Sequence, residues 1–406
     1  MIDSPNRSVL LQGARIIAPD ITIEEGSVLI ESGRIARVSE GDGHPSTSAD
    51  SVLDLHGVTL FPGFIDLHIH GAVGVDIIDA SADDLCHVAG FLARNGVTAW
   101  LPTLVPSADD QYASAVNAIG KLLSEQTAPA AFSADKISAL AVARVLGVHY
   151  EGPFVNSDQC GALHREHFRT FKDIADLDAL PTTKTEGAVH MMTLAPEIND
   201  GIELVSQLSR RGWIVSIGHT SATVEVLDKA LAAGARHMTH FMNAMAPLHH
   251  RAPGPVGWGL TNDEVTCDVI ADGVHIDPLI LKMILRSKTE ERISLISDGI
   301  AATGLGDGDY QIWGESIAVK DGRTQNARGS IAGSVITMLD AVRMMLSLGT
   351  SESAVARMAS LNPARLLGID RHSGSIEVGK RADLVALDDA LNPHLTIVGG
   401  RVAFSR

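Results

Sequence analysis

The chain carries two kinds of hydrophobic pattern, one at its ends and one in its middle. Residues 1–59 and 374–406 contain short runs in which apolar and polar positions alternate, and the turn Glu31-Ser32-Gly33 separates two of these runs. Alternation with a period of two is typical of strands that are buried on one face only. We therefore expect both termini to contribute to one small β domain.

The middle of the chain, residues 60–373, alternates apolar runs rich in β-branched residues with amphipathic stretches. Ser81 and Asp84 have the spacing of a helix capping box, and Gly96 marks the end of that predicted helix. The apolar runs lie at 60–69, 97–105, 143–151, 189–197, 213–219, 236–243, 265–272 and 293–298. Eight such runs separated by helices predict an α/β fold, a (β/α)8 barrel of the TIM type.

Composition and charge exclude several classes of partner. The 406 residues include 32 Lys and Arg against 49 Asp and Glu, which gives a formal net charge of −17. A nucleic acid or an anionic membrane would be repelled by this charge. No run of about 18 apolar residues and no signal-peptide pattern occurs, so we expect a cytoplasmic protein. Cys86, Cys160 and Cys267 are too irregularly spaced for a disulfide framework or a CxxC zinc site.

Two histidines lie at the end of the first apolar run of the predicted barrel. His68 and His70 are two residues apart, so on a strand both imidazoles point to the same side. Active sites of such barrels lie at the carboxyl ends of the strands, and paired neutral imidazoles suit a divalent transition metal. The pattern by itself is equally compatible with surface or core histidines.

Three further side chains at strand ends fit a catalytic metal site. Glu151 ends an apolar run, where an unpaired carboxylate would be costly to bury. His219 and His240 each end a run and lie 21 residues apart, about the length of one βα unit. Together they would supply three ligands and leave one position open. A buried Arg or Lys partner for Glu151, or ordinary core histidines, remain the alternatives.

Two other positions could take part in chemistry or binding. Asp298 ends the last apolar run, where a carboxylate beside an activated water could accept and return a proton. It could instead cap the turn that follows. Arg251 lies in a small cationic cluster with His249 and His250, and could hold a phosphate or carboxylate through two hydrogen bonds. A solvated loop charge is the alternative there.

Several segments together resemble the N-acetylglucosamine-6-phosphate deacetylase family of the amidohydrolase superfamily, over nearly the whole chain. The segments are PGFIDLHIHG (62–71), YEGPF (150–154), GHTSAT (218–223), THFMNAMAPLHHRAPG (239–254), ADGVHIDP (271–278), SDGIAATGL (297–305), IAGSVITM (331–338), NPARLLGI (362–369) and GSIEVGKRADLVALD (374–388). The resemblance implies a barrel over residues 60–373 beside a small β-sandwich domain formed by residues 1–59 and 374–406.

The resemblance also implies a role for individual residues of this chain. The metal ligands would be Glu151, His219 and His240, with His68 and His70 able to hold a second ion, and the metal would be zinc or iron. The catalytic aspartate would be Asp298. The substrate-binding residues would be His275 at the amide carbonyl, Asn243, Ala244 and Arg251 at the phosphate, and His164, Ile331, Ala332 and Gly333 elsewhere on the sugar. Because this arginine can come from the neighbouring subunit in the family, a homodimer is implied.

The sequence departs from the family's pattern at two places. The segment Cys160 to His164 carries one residue more than the usual Gly-Ala-His, and Gly299 stands where alanine is more usual. The first departure bears on whether His164 contacts the sugar.

The function implied is hydrolysis of N-acetyl-D-glucosamine 6-phosphate to acetate and D-glucosamine 6-phosphate. One alternative is the galactosamine epimer of the same substrate, and another is opening of a cyclic amide. Cyclic-amide hydrolases typically bridge two metals with a carboxylated lysine, whereas the matching strand here ends in Glu151. A third alternative, a binding protein on the same fold, would not need these ligands or Asp298.

Overall fold

The computed structural model describes residues 8–19, 21–41, 49–127 and 141–406. Its strands are β1 (Val9–Ile17), β2 (Thr22–Glu31), β3 (Arg34–Glu40), β4 (Ser51–Asp54), β5 (Thr59–Pro62), β6 (Phe64–Ile69), β7 (Gly71–Ala72), β8 (Val75–Asp76), β9 (Val97–Leu104), β10 (Arg144–Val145), β11 (Gly147–Glu151), β12 (Val189–Leu194), β13 (Ile214–Ile217), β14 (His237–Met238), β15 (Thr266–Ile270), β16 (Ile293–Ile296), β17 (Gly308–Ile312), β18 (Glu315–Lys320), β19 (Arg323–Asn326), β20 (Leu384–Leu387), β21 (Pro393–Val398) and β22 (Arg401–Ser405).

The helices of the described residues are α1 (Ala82–Arg94), α2 (Asp109–Thr127), α3 (Ile174–Asp178), α4 (Gly201–Arg210), α5 (Val224–Ala233), α6 (Gly254–Thr261), α7 (Pro278–Lys288), α8 (Met338–Ser347), α9 (Glu352–Ala356) and α10 (Asn362–Leu366). A π-helical turn, Arg357–Leu361, joins α9 to α10, and 3-10 turns cover Ile77–Asp79, Ser157–Gln159 and Arg165–His167.

Eight parallel strands form the barrel that the sequence predicts. Going round it they are β6, β9, β11, β12, β13, β14, β15 and β16, and the short β10 extends the β9 edge. The last strand returns to the first, where the Asp298 N–H donates to the His68 carbonyl at 2.9 Å and Ile69 bridges Gly299. Helices cover the outside and bury the main core against the strands. The prediction of a TIM-type barrel is thus confirmed.

The two termini form a separate sheet with its own core. Its strand order is β22-β21-β20-β5-β1-β2-β3, and β4 pairs with β1. Buried aliphatic side chains from both ends of the chain, such as Leu11, Ile30, Leu384 and Ile397, pack together inside it. The predicted sandwich-like domain is confirmed, whereas the exact division at residues 1–59 plus 374–406 and 60–373 stays a prediction.

One apolar run was wrongly assigned to a single strand. The run 60–69 is divided between the two sheets, because β5 pairs with β20 of the terminal sheet and β6 with β9 of the barrel. Gly63 lies between them, and a Cβ there would meet the Thr98 side chain at 2.2 Å. This close approach lets the chain pass from one sheet into the other at the point where His68 and His70 begin to face the barrel mouth.

The helix predicted after Ser81 is confirmed with its ends. The Ser81 hydroxyl accepts from the Asp84 N–H at 3.2 Å, and the Asp84 carboxylate accepts from the Ser81 N–H at 3.0 Å. Gly96, with a φ of +81°, turns the chain back toward β9. Both ends of α1 are therefore set by local sequence.

A small antiparallel sheet, β17-β18-β19, is inserted after the last barrel strand. Our sequence analysis did not anticipate it. Its apolar side, including Ile312 and Ile317, packs on Ile300 and Ala332 from the loops that follow β16. The insertion thereby covers part of the barrel mouth.

No helix among the described residues is both long and apolar enough to cross a membrane.

Candidate active site

Three of the predicted metal ligands meet at the carboxyl ends of neighbouring strands. Glu151 ends β11, and its Oε1 lies 2.9 Å from the Nε2 atoms of both His219 and His240. The two Nε2 atoms are 3.2 Å apart, and all three side chains are buried. The long-range topology of the barrel thus brings together residues up to 89 positions apart.

His68, His70 and Asp298 form the adjoining half of the same cluster. The Nε2 atoms of the two histidines are 3.0 Å apart, and they lie 3.3 Å and 3.4 Å from Asp298 Oδ1. His70 Nε2 is also 3.3 Å from the second carboxylate oxygen of Glu151. Four imidazoles and two carboxylates therefore share one buried space.

The orientation of the rings fits a divalent metal ion. His219 Nδ1 lies 2.8 Å from the Gln159 carbonyl, and His70 Nδ1 lies 3.2 Å from the Thr103 carbonyl. A carbonyl only accepts, so both Nδ1 atoms carry a proton, and in the neutral form of each ring the Nε2 lone pair faces the cluster. Two groups have ligand atoms within 4.8 Å of one another, namely His68 with His70 and Asp298, and His68 with Glu151 and His240. Nitrogen and oxygen donors of this kind suit zinc or iron.

The carboxylates and imidazoles of the cluster strongly perturb each other. Burial acts to raise the pKa of Glu151, but hydrogen bonds from His219 and His240 outweigh it and hold that pKa well below its usual range. Burial acts to lower the pKa of His70, but Asp298 and Glu151 raise it to about 10. The cluster therefore attracts positive charge, which protons or a metal ion can supply.

Three of these residues adopt backbone conformations that cost free energy. His219, His240 and Asp298 have φ values of +48°, +33° and +51°. The Asp268 carboxylate accepts from the His240 N–H, and the Ser334 N–H donates to the Asp298 carbonyl at 2.7 Å. Strain of this kind is maintained only where surrounding bonds hold it, and it is concentrated at functional sites.

A cavity of about 330 Å³ opens above the cluster, and we call it the reaction pocket. Its lining residues that the sequence predicted are His70, Glu151, His219, His240, Asn243, Ala244, His275, Asp298, Ile331 and Gly333. Ala332, between the last two, is fully buried beneath the wall. Most of the predicted site therefore surrounds one cavity.

His275 is oriented by a neighbouring carboxylate. Its Nδ1 lies 2.7 Å from Asp272 Oδ2, while Asp272 Oδ1 accepts from the N–H groups of Val274 and His275 at 2.8 Å. Burial acts to raise the pKa of Asp272, but the hydrogen bond from His275 outweighs it and lowers that pKa. The other ring nitrogen of His275, Nε2, is free of this bond and is available to the pocket.

Two predicted substrate contacts lie outside the reaction pocket of this chain. Arg251 is exposed, and its Nη1 donates to His250 Nε2 at 2.8 Å. His164 Nε2 lies 3.3 Å from Glu315 Oε1 on the inserted sheet. Both positions remain predictions as substrate contacts.

The structure adds two features that our sequence analysis missed. Asp268 pairs with His237, whose Nε2 lies 3.0 Å from its Oδ2, and so supports the neighbouring His240. Trp313, at the turn between β17 and β18, stands edge-on to His70 with ring centroids 5.4 Å apart. Alternating residues on both sides of Trp313-Gly314 were a hairpin signal, but nothing local placed that hairpin over the barrel mouth.

The barrel, the mixed His and carboxylate cluster and the terminal sheet are features of a metal-dependent hydrolase. The model of the amidohydrolase family matches residues 59–403, and the chain belongs to this family.

Within this family, the chain is similar to N-acetylglucosamine-6-phosphate deacetylase of Bacillus subtilis, with 36% identity over 98% of this chain and 97% of that protein. It is 34% identical to N-acetylgalactosamine-6-phosphate deacetylase of Escherichia coli O157:H7, over 97% and 99% of the two chains. A solved N-acetyl-D-glucosamine-6-phosphate deacetylase variant from Mycobacterium smegmatis, in complex with N-acetyl-D-glucosamine 6-phosphate, superposes with a TM-score of 0.86 at 30% identity. That match covers 98% of this chain and 100% of the other.

Proposed function

We propose that this chain hydrolyses N-acetyl-D-glucosamine 6-phosphate to acetate and D-glucosamine 6-phosphate. The observation that carries the proposal is the buried cluster of four histidines, Glu151 and Asp298 at the floor of a sugar-sized cavity. The Bacillus subtilis and Mycobacterium smegmatis relatives, which share nearly the full length of the chain, carry this activity in their names.

The metal would be held by Glu151, His219 and His240, and His68 with His70 would hold a second ion. Zinc and iron both fit these ligands, with one or two ions in each subunit. When bound, a divalent ion supplies Lewis-acid activation of a water molecule and of the amide carbonyl. Neutral imidazoles are required for this, and the carbonyl partners of His70 and His219 fix the required tautomer.

Asp298 is suited to move the proton. Burial acts to raise its pKa, but hydrogen bonds from His68 and His70 outweigh it and lower that pKa far enough to keep the carboxylate ionised. It accepts a proton from the attacking water as the carbon–oxygen bond forms. It then delivers that proton to the amide nitrogen as the carbon–nitrogen bond breaks, so the amine leaves neutral. His275, whose Nδ1–H is donated to Asp272, would in its doubly protonated form donate from Nε2 to the carbonyl oxygen as negative charge develops there.

The phosphate would bind on the side of the pocket formed by the segment that follows β14. Asn243 and Ala244 line the pocket, whereas Arg251 of the same chain is exposed and turned to His250. We therefore propose a homodimer in which the partner subunit's Arg251 completes the phosphate site. His164 and the segment Ile331 to Gly333 would bound the sugar, and a cytoplasmic location is part of the same proposal.

The test is acetate release from N-acetylglucosamine 6-phosphate, measured beside unphosphorylated N-acetylglucosamine with zinc or iron added. We expect turnover that requires the phosphate, because Arg251 binding would hold the amide in line. Asp298→Asn should lower turnover by about a hundredfold or more while leaving substrate binding nearly intact. Normal turnover in this variant would remove Asp298 from the mechanism.

N-acetylgalactosamine 6-phosphate is the second candidate substrate, because a relative named for it is 34% identical over 97% of this chain. The two sugars differ in the configuration of one hydroxyl group. The ratio of the kcat/KM values for the two compounds identifies the preferred substrate. For cyclic amides the structure offers less support, since no lysine lines the described reaction pocket.

A further inference from the structure

A second cavity of about 220 Å³ lies beside the reaction pocket, and we call it the side pocket. Its apolar wall includes Ile78, Val105 and Pro106. Two residues, Leu163 and Trp313, line both cavities and so form the partition between them. The side pocket thus offers space next to the predicted metal ligands. The acetyl group of the proposed substrate would not fill this space.

Trp313 reaches the partition at a conformational cost. Trp313 and Gly314 form a two-residue turn with φ values of +52° and +75°. Such a turn favours Asn, Asp or Gly at its first position, because a side chain with a positive φ is strained. The next turn of the same sheet, Asp321-Gly322, has φ values of +51° and +74° and does carry an aspartate. A bulky residue held in this conformation points to a function at its side chain.

The contacts of the indole place it beside the reacting end of the pocket. The ring is half-buried, packs with Val105, Val155 and Leu163, and stands edge-on to His70. Counting round the barrel, His70 follows the first strand, whereas the proposed phosphate contacts Asn243 and Ala244 follow the sixth. A substrate anchored at its phosphate and hydrolysed at the cluster therefore directs its acyl chain toward this wall.

We propose that Trp313, with Leu163, sets the length of the N-acyl group that the enzyme accepts. This inference rests on the proposed function, since it assumes an N-acyl sugar phosphate in the reaction pocket. The partition leaves space for an acetyl methyl group and blocks longer chains, which would otherwise enter the apolar part of the side pocket. Trp313 is thus a determinant of specificity and has no part in the bond-breaking step.

The test compares N-acetyl- and N-butanoyl-glucosamine 6-phosphate as substrates of the metal-loaded protein. Each added methylene that does not fit changes kcat/KM by roughly tenfold or more. The unchanged protein should therefore prefer the acetyl substrate by about a hundredfold or more. Trp313→Ala should reduce this preference about tenfold or more, and Trp313→Phe should have a smaller effect.

Two matched variants distinguish an effect of opening the partition from an effect on the folding of the hairpin. Leu163→Ala opens the same partition from a different segment, so it should also reduce the preference. Ser316→Ala, at an exposed position of the same hairpin, should leave it unchanged. A preference that stays constant in both Trp313→Ala and Leu163→Ala, while turnover of the acetyl substrate persists, would overturn the inference.

Binding gives a readout that does not depend on turnover. The affinities of the same two compounds are measured by calorimetry in the Asp298→Asn background. Adding Trp313→Ala to that protein should raise the affinity for the butanoyl compound relative to the affinity for the acetyl compound. An unchanged affinity ratio would also overturn the inference. If the unchanged protein hydrolyses no acetyl substrate, and the Asp298→Asn protein binds neither compound, the proposed function itself is refuted.

Discussion

Replacement of Asp268 should weaken the metal site without touching a ligand. Its Oδ1 accepts from the His240 N–H, and its Oδ2 lies 3.0 Å from His237 Nε2, which must donate because a carboxylate only accepts. Asp268 and His237 are fully buried. The carboxylate thus holds the strained backbone of a predicted ligand in place.

The magnitude follows from the groups left unpaired. Asp268→Ala leaves two buried donors without an acceptor at about 1–3 kcal/mol each, so we expect a loss of roughly 2–6 kcal/mol in unfolding free energy. Removing a residue that orients a metal ligand typically weakens metal binding about 10–100-fold. Asp268→Asn should cost less, because its amide oxygen can accept from His240. The amide nitrogen of this asparagine can donate to His237 Nε2 once the imidazole proton has moved to Nδ1, which lies 2.7 Å from the Thr266 hydroxyl.

The assay is competition with a chelating dye, which gives the metal affinity, together with thermal unfolding of the same samples. Asp263→Ala, an exposed position before β15, serves as the control and should change neither quantity appreciably. Should Asp268→Ala lower the Tm while the metal affinity stays within twofold, Asp268 would support packing only. Our reasoning about His240 would then be refuted.

Three further predictions concern metal loading, the loop that carries Asp298, and the junction of the two sheets. Removal of the metal by a chelator should lower the Tm, and added zinc or iron should restore it, because a ligand that binds only the folded state stabilises it; an unchanged Tm would contradict the site. Gly333→Ala should lower turnover by roughly ten- to a hundredfold with little loss of metal, since its Cβ would meet the Asp298 carbonyl oxygen at 2.9 Å; wild-type rates would show that the loop adapts. Asp383→Asn should cost roughly 3 kcal/mol at pH 7, because this buried carboxylate lies 3.1 Å from Arg144. Burial acts to raise the pKa of Asp383, but the nearby charge of Arg144 outweighs it and lowers that pKa, so its stabilisation is complete above about pH 5 and is lost progressively as the pH falls further. The gap in unfolding free energy between the two proteins should therefore be full at pH 7 and should narrow progressively as the pH is lowered below about 4; a gap that stays constant at every acidic pH where both proteins fold would exclude the charge as the cause.

Much of the cluster was predictable because its members occupy repeated positions of a repeated unit. His68 and His70 share a strand face through their two-residue spacing, and His219 and His240 end successive strands. Once eight apolar runs indicate a barrel, the ends of those runs meet at one mouth whatever the loops between them do. The position of each strand end along the chain was enough to bring Glu151 and Asp298 into the same set.

Other features depend on contacts between segments that are distant in sequence. The hydrophobic pattern of one such segment does not indicate which other segment it will contact. The division of the run 60–69 follows from Thr59–Pro62 pairing with β20, more than 300 residues away in the chain. Support of His240 by Asp268 depends on the register of β14 against β15. Neither a strand pattern nor a motif specifies which partner a buried polar group will find.

The amino-acid sequence alone thus determined the barrel, the sandwich-like terminal sheet and the set of residues that could bind a metal, because periodicity and strand ends are local properties. Only the tertiary structure decided that Trp313 closes the reaction pocket, that Arg251 faces away from it within its own chain, and that His164 lies against Glu315. Loop packing positions these side chains, and packing is set by the shape and chemistry of distant surfaces that meet only after folding.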